Sequence, residues 1–117
     1  MDKFELQHRT RDFAVRIVKM FRALPRNTEA QVLGKQVLRS GTSVAANYRA
    51  VCRSRSKQEF IARIGVVVEE IDETAFWLDM LVACGIVAEP KLAALTKESN
   101  ELLAIFTASQ LTAKGNR

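Results

Sequence analysis

The stretch Leu33-Gly34-Lys35-Gln36-Val37-Leu38-Arg39-Ser40-Gly41-Thr42-Ser43-Val44-Ala45-Ala46-Asn47-Tyr48-Arg49-Ala50-Val51-Cys52-Arg53 decides how this chain reads. At roughly 100° per residue on a helix, Lys35, Arg39, Arg49 and Arg53 fall within an arc of about 80°. Leu33, Val37, Val44, Tyr48 and Val51 cluster around the opposite direction. One helix would therefore carry a dry stripe on one side and a cationic stripe, on the order of 27 Å long, on the other. The dry stripe calls for a core to lie against. The cationic stripe suits a phosphate backbone, although a run of charge is also what any solvated helix face shows.

Working outward, four helical segments can be read. The first is expected at about 6–24, with Leu6, Phe13, Ile17, Met20, Phe21 and Leu24 at spacings of three, four and seven. Pro25 stops it. The second spans about 29–53 and opens on Thr28-Glu29-Ala30-Gln31, which has capping-box form. Gly41-Thr42-Ser43 are poor helix formers, so a kink is expected there. The third, about 57–84, opens on Ser56-Lys57-Gln58-Glu59 before Phe60: the serine hydroxyl takes the Glu59 amide proton and the Glu59 carboxylate reaches back to the Ser56 amide. It ends at Cys84, with Gly85 placed for a left-handed residue and Ile86 as its apolar follower. The fourth is expected at about 90–112, with Pro90 in its first turn and Leu92, Leu95, Leu102, Ile105 and Phe106 on its apolar face. From Lys114 the tail is expected to fray. No strand alternation or internal repeat appears. Helices joined by such short connections pack as antiparallel neighbours, so one all-α domain over 1–117 is expected, an up-down-up-down four-helix bundle.

Composition agrees with a single globular domain: 117 residues, 48% hydrophobic and 26% charged. No segment reads as a membrane span or a secretion signal, so the expected compartment is the cytoplasm. Cys52 and Cys84 would end neighbouring antiparallel helices, too far apart for an internal disulfide, and read as small packing residues. The net charge of +5 conceals an asymmetry, since residues 1–63 carry +9 and residues 64–117 carry −4. Either the basic and acidic helices attract each other, within or between subunits, or the basic half meets an anionic polymer.

Little chemistry is available to an enzyme. His8 is the sole histidine, which leaves no paired Glu-x-x-His set for a di-iron bundle, no zinc ligand set and no well-placed base for a Ser-His-acid triad. There is no glycine-rich phosphate loop. No enzymatic activity and no cofactor or metal are expected. Glu69, Glu70, Asp72 and Glu73 read as a solvated or partner-facing acidic strip. Ser40, Asn47 and Tyr48 border or enter the dry stripe, where their polar atoms are expected to bond across the bundle and fix its register. Val66, Trp77 and Met80 form a second apolar face on the third helix, read as an oligomer interface.

The basic set extends past the stripe. Arg53, Arg55 and Lys57 surround the turn before the third helix and Arg63 follows on it, so cations crowd an already electropositive helix N-terminus. No Phe or Tyr lies among these arginines in sequence. Backbone contact with little sequence reading is therefore expected, rather than base stacking.

The segment Arg39 to Phe60 resembles the small bacterial four-helix bundle proteins encoded by intervening sequences in large-subunit ribosomal RNA genes, a family that includes the accessory variability determinant of diversity-generating retroelements. The family pattern runs roughly Ser-Ile-Pro-Ala-Asn-Ile-Ala-Glu-Gly, then Arg-x-Ser-x-x-x-Phe. Ser43, Val44, Ala45, Asn47, Arg53 or Arg55, Ser56, Glu59 and Phe60 lie in the matching stretch. The acidic run Glu69 to Glu73 falls at the family's Glu-Leu-Glu segment, and Gly85-Ile86 at its Leu-Gly-Tyr-Leu end. The chain departs where the family proline becomes alanine and Ala-Glu-Gly becomes Arg49-Ala50-Val51, which strengthens the basic stripe. The resemblance implies a barrel-like homopentamer with a non-enzymatic role beside nucleic acid or a reverse transcriptase.

Together these readings give an expected function: a basic, oligomeric bundle that binds RNA or DNA through Lys35, Arg39, Arg49, Arg53, Arg55, Lys57 and Arg63, with no integral membrane association. The alternative is a protein-interaction scaffold whose basic stripe docks an acidic partner or a neighbouring subunit.

Overall fold

The computed structural model describes residues 1–115 and folds them into four helices: α1 (Lys3–Arg22), α2 (Thr28–Val51), α3 (Lys57–Ala83) and α4 (Glu89–Gly115). Each begins and ends for a local chemical reason. Asp2 caps α1 by accepting the Glu5 amide at 2.9 Å, so the helix starts three residues before the expected Leu6. Its carboxyl sits below the ordinary carboxylate range because backbone amides of that first turn hydrogen-bond to it.

The cap of α2 is Asn27, not Thr28: its side chain accepts the Ala30 amide at 2.9 Å. Gln31 turns its amide to the Pro25 carbonyl, which frees it from the expected capping box. The helix runs unbroken through Gly41-Thr42-Ser43, where the sequence predicts a kink, and closes at Val51 with Cys52 as its C-cap. Arg53 therefore lies beyond the helix, its amide bonded to the Ala50 carbonyl.

The Ser56 hydroxyl accepts the Glu59 amide at 3.1 Å and opens α3 as expected. The Glu59 carboxylate bonds the Arg55 amide instead of that of Ser56. At the far end Gly85 has φ +72°, and two bonds, Ile86 N to Leu81 O and Gly85 N to Val82 O, complete a Schellman motif. The final helix begins one residue before Pro90 and continues through Lys114 to Gly115, so the expected fraying does not begin at Lys114. Asn116 and Arg117 lie outside the described residues.

Consecutive helices pack along their lengths, while α1 and α4 meet only narrowly, in a body of 49 × 21 × 20 Å. The core is filled by Phe13 and Ile17 of α1, Val37 and Val44 of α2, Ile64, Val67, Ile71, Leu78 and Leu81 of α3, and Leu92, Leu102 and Phe106 of α4. Tyr48 is buried with its ring 5.1 Å from that of Phe106, and burial together with Cys52 pushes its phenol pKa up. Leu33 and Ile105 are only half-buried. No helix of the described residues is long and apolar enough to cross a membrane.

Three pairings set the alignment of neighbours. Thr74 of α3 donates to the Ser40 hydroxyl at 2.9 Å in the buried seam with α2, and Ser40 donates to the Gln36 carbonyl. Ser40 thus does bond across the bundle. Asn47 does not, because its amide bonds back to the Ser43 carbonyl at 2.8 Å. On the other side, α2 carries Gly34 and Gly41 against α1. A Cβ at Gly41 would stand 2.9 Å from Ile17 Cγ1, whereas one at Gly34 would meet the far end of the Leu24 side chain. The narrow seam between α1 and α4 is clamped by Arg9, which grips Glu98 with two 2.7 Å bonds and reaches Glu101 at 2.9 Å. This pair holds the Glu98 carboxyl below its ordinary pKa despite partial burial.

Two outcomes are expected from this packing. Gly41→Ala should lose about 1 kcal/mol in urea unfolding, because overpacking against a branched, buried Ile17 costs ~1–3 kcal/mol and improved helix propensity returns only ~1. Gly34→Ala should cost less than Gly41→Ala, since the Leu24 terminus can rotate away and the half-buried Phe21 ring, 3.1 Å from the added Cβ, has only to give slightly. The second outcome concerns pH. Glu98 binds its proton less readily folded than unfolded, so its contribution is present above the unfolded value of about 4.3 and fades as pH falls through the folded value. Thermal unfolding followed from pH 7 to pH 3 should therefore show a smaller acid loss in Arg9→Met than in the native chain.

Candidate nucleic-acid interface

Two of the seven cations singled out by sequence are committed to the fold. Arg39 is held by α3: its Nη1 lies 3.3 Å from Glu70, and its Nη2 is bonded to Glu73, which also accepts the Trp77 indole N–H at 3.0 Å. This corrects the reading of four equivalent cations on one stripe. Of the acidic strip of α3, Glu70 and Glu73 face α2 and take Arg39, whereas Glu69 and Asp72 are exposed. Arg63 is the second. It donates to the Ala50 carbonyl at the end of α2 at 2.9 Å and pairs with Glu59 at 3.1 Å, which ties α3 to the C-terminus of α2.

The other five are open to solvent. Lys35, Arg49, Arg53 and Lys57 are exposed and make no ion pair among the described residues. Arg55 is also exposed, and its 3.8 Å approach to Glu59 is too long for a hydrogen bond.

The structure adds one residue that the sequence does not single out. Arg11 of α1 lines a groove of about 440 Å³ with Gln7, Ala45, Ala46, Arg49 and Arg53. Three arginines from α1, the last turn of α2 and the segment after it surround a floor made of two alanines. Arg11 makes one 3.9 Å approach to its neighbour Asp12, with both side chains largely exposed. In that setting the approach contributes little. Nothing in the sequence marks Arg11 apart from other α1 cations; the register of α1 on α2 selects it. Chemically the groove is an array of charge-assisted donors on rigid backbone, able to accept several oxyanions at once.

On α3, Val66 is 41% exposed and Phe76 is 52% exposed, while Trp77 and Met80 are half-buried. Phe76, absent from the expected interface set, is the larger exposed side chain, and it packs edge-on to Trp77 at 4.9 Å. Among the remaining motif residues, Ser43 offers its carbonyl to Asn47, Ser56 and Glu59 cap α3, and Phe60 packs half-buried against the core. Cys52 and Cys84 are free thiols. No group of three or more His, Cys, Asp or Glu among the described residues is gathered to hold a metal ion.

Comparison with known proteins places this architecture. A crystal structure of a protein of unknown function from the S23 ribosomal protein family of Bacteroides thetaiotaomicron matches it with a TM-score of 0.86. The two are 28% identical, over 94% of this chain and 98% of that chain. No curated protein matches the chain. A family model described as the 23S rRNA-intervening sequence protein matches residues 2–108, and the chain belongs to that family.

Proposed function

We propose that this chain is a cytoplasmic, non-enzymatic, antiparallel up-down-up-down bundle that binds RNA or DNA by its phosphates and acts as a homo-oligomer, a pentamer by family resemblance. One observation carries the nucleic-acid reading: Arg11, Arg49 and Arg53 converge on a groove without a carboxylate to neutralise them closely, while Arg9, Arg39 and Arg63 are engaged within the fold. Cations held apart on two helices and the turn after α2 are ready for a polyanion, and binding releases its condensed counterions. Lys35, Arg55 and Lys57 widen the charged face on either side. The family description ties its members to sequences that interrupt 23S rRNA. Ribosomal RNA is thus one candidate partner, and an accessory role to a reverse transcriptase is another. The antiparallel arrangement is supported by the pairing of Ser40 with Thr74 and Ala50 with Arg63, since numbers rise along α2 as they fall along α3.

A second reading rests on a different contact. Arg39 already docks on Glu70 and Glu73, so the same basic face could take an acidic partner or a neighbouring subunit. Titration of the intact oligomer with mixed RNA near physiological salt separates the two, because absence of binding there favours the scaffold.

For the leading reading, the joint substitution Arg49→Ala with Arg53→Ala should weaken binding uniformly across sequences. It should lower the slope of log K against log salt by roughly two, at about 0.9 for each phosphate left unneutralised. Arg39→Ala should change that slope by much less. An unchanged slope in the double variant rejects the groove as the site. Assembly is tested separately: Val66→Glu with Met80→Glu should reduce the mass measured by light scattering while helical circular dichroism is kept.

A further inference from the structure

We propose that Phe4 is a stacking platform for an unpaired base, so that the nucleic acid held at this face is single-stranded where it passes the start of α1; this rests on the nucleic-acid reading above. Phe4 is 70% exposed, although the apolar face of α1 buries Leu6, Phe13 and Ile17 on its opposite side. It stands one heptad before Arg11, so the two side chains leave α1 within about 20° of each other and about 10 Å apart along the axis. One cation lies directly against it, and others stand on neighbouring elements. The Lys3 ammonium lies 5.4 Å from the ring centroid. Lys3 also lines a depression with Cys52, Ser54 and Ser56, which sets the start of α1 beside the turn that bears Arg53, Arg55 and Lys57. The fold thus supplies the aromatic group that the linear sequence does not place among those arginines.

An exposed ring beside arrayed cations has a definite use in single-strand recognition. Cations track the backbone, and the ring takes the face of a base whatever its identity. Duplex ends aside, a paired strand keeps its base faces in its own stack and has nothing to place on Phe4. The ring adds affinity without adding charge, so its effect is separable from that of the arginines.

The test uses fluorescence anisotropy of the full chain with a labelled oligonucleotide of about 16 nucleotides, single-stranded and as its duplex, across a salt series. Phe4→Ala should weaken single-strand binding about 5- to 100-fold, with the salt slope and duplex affinity unchanged. Phe4→Trp should retain single-strand affinity. Equal binding of single strand by Phe4→Ala and the native chain overturns the stacking role. So does an equal loss on single strand and duplex, or a fall in assembly mass by light scattering, which would make the ring a subunit contact. If duplex binds and Phe4→Ala has no effect, this proposal alone fails. If neither form binds, the nucleic-acid reading fails and takes the stacking role with it.

Discussion

At Gly41 of α2 the backbone of α1 lies so close that the branched, buried Ile17 fills the space a Cβ would take, and two turns earlier, at Gly34, the Phe21 ring edge and the tip of Leu24 come in against the helix. That approach fixes both the distance and the register of α1 on α2. The consequence appears two turns further along the same seam, where Gln7 and Arg11 come to lie opposite Ala45, Ala46 and Arg49. Small residues at 45 and 46 keep the groove floor low between the arginines. The candidate face is thus a product of backbone proximity in the core, and a slip of α1 by one turn would separate its cations.

Charge in this chain is partitioned by the same packing. The basic first half and the acidic second half are drawn together where α2 meets α3, at Arg39 with Glu70 and Glu73, and where α1 meets α4, at Arg9 with Glu98 and Glu101. Both links sit at partly exposed helix seams, where an ion pair orients helices more than it stabilises them. Among the exposed cations of the described residues that have no ion pair or only a distant one, Lys3, Arg11, Arg49, Arg53, Arg55 and Lys57 lie around the start of α1, the end of α2 and the turn into α3, while Lys19, Arg22, Arg26 and Lys35 lie toward the other end. On the proposed function, the cations at the α1 start would steer a polyanion there, and the apolar patch of Val66, Phe76, Trp77 and Met80 on α3 would be the contact between subunits.

Membership of the 23S rRNA-intervening sequence protein family and the shared architecture with an S23-family protein from Bacteroides thetaiotaomicron describe a scaffold more than an activity. That neighbour is itself of unknown function. The proposed nucleic-acid reading therefore rests on this chain's own side chains, above all on the arginines of the groove. Arg49 is a wall of the groove.

Helix number, the Ser56 and Gly85 boundaries and most core positions were legible from residue order, because caps and apolar periodicity act within a turn or two of their own residues. The boundary differences have local causes too: Asp2 and Asn27 take the capping roles ahead of Leu6 and Thr28, and α2 stays an unbroken helix across Gly41-Thr42-Ser43. The candidate site was legible only in part. An angular stripe on one helix identifies which cations share a face, but it cannot say which of them a neighbouring helix neutralises. Arg39 and Arg63 are taken up by partners 31 and 13 residues away, and Arg11 joins from a helix packed alongside. Periodicity determined the helices and their buried sides; the side-by-side register of α1, α2 and α3, a matter of close packing and long-range charge pairing, decided which arginines remain available.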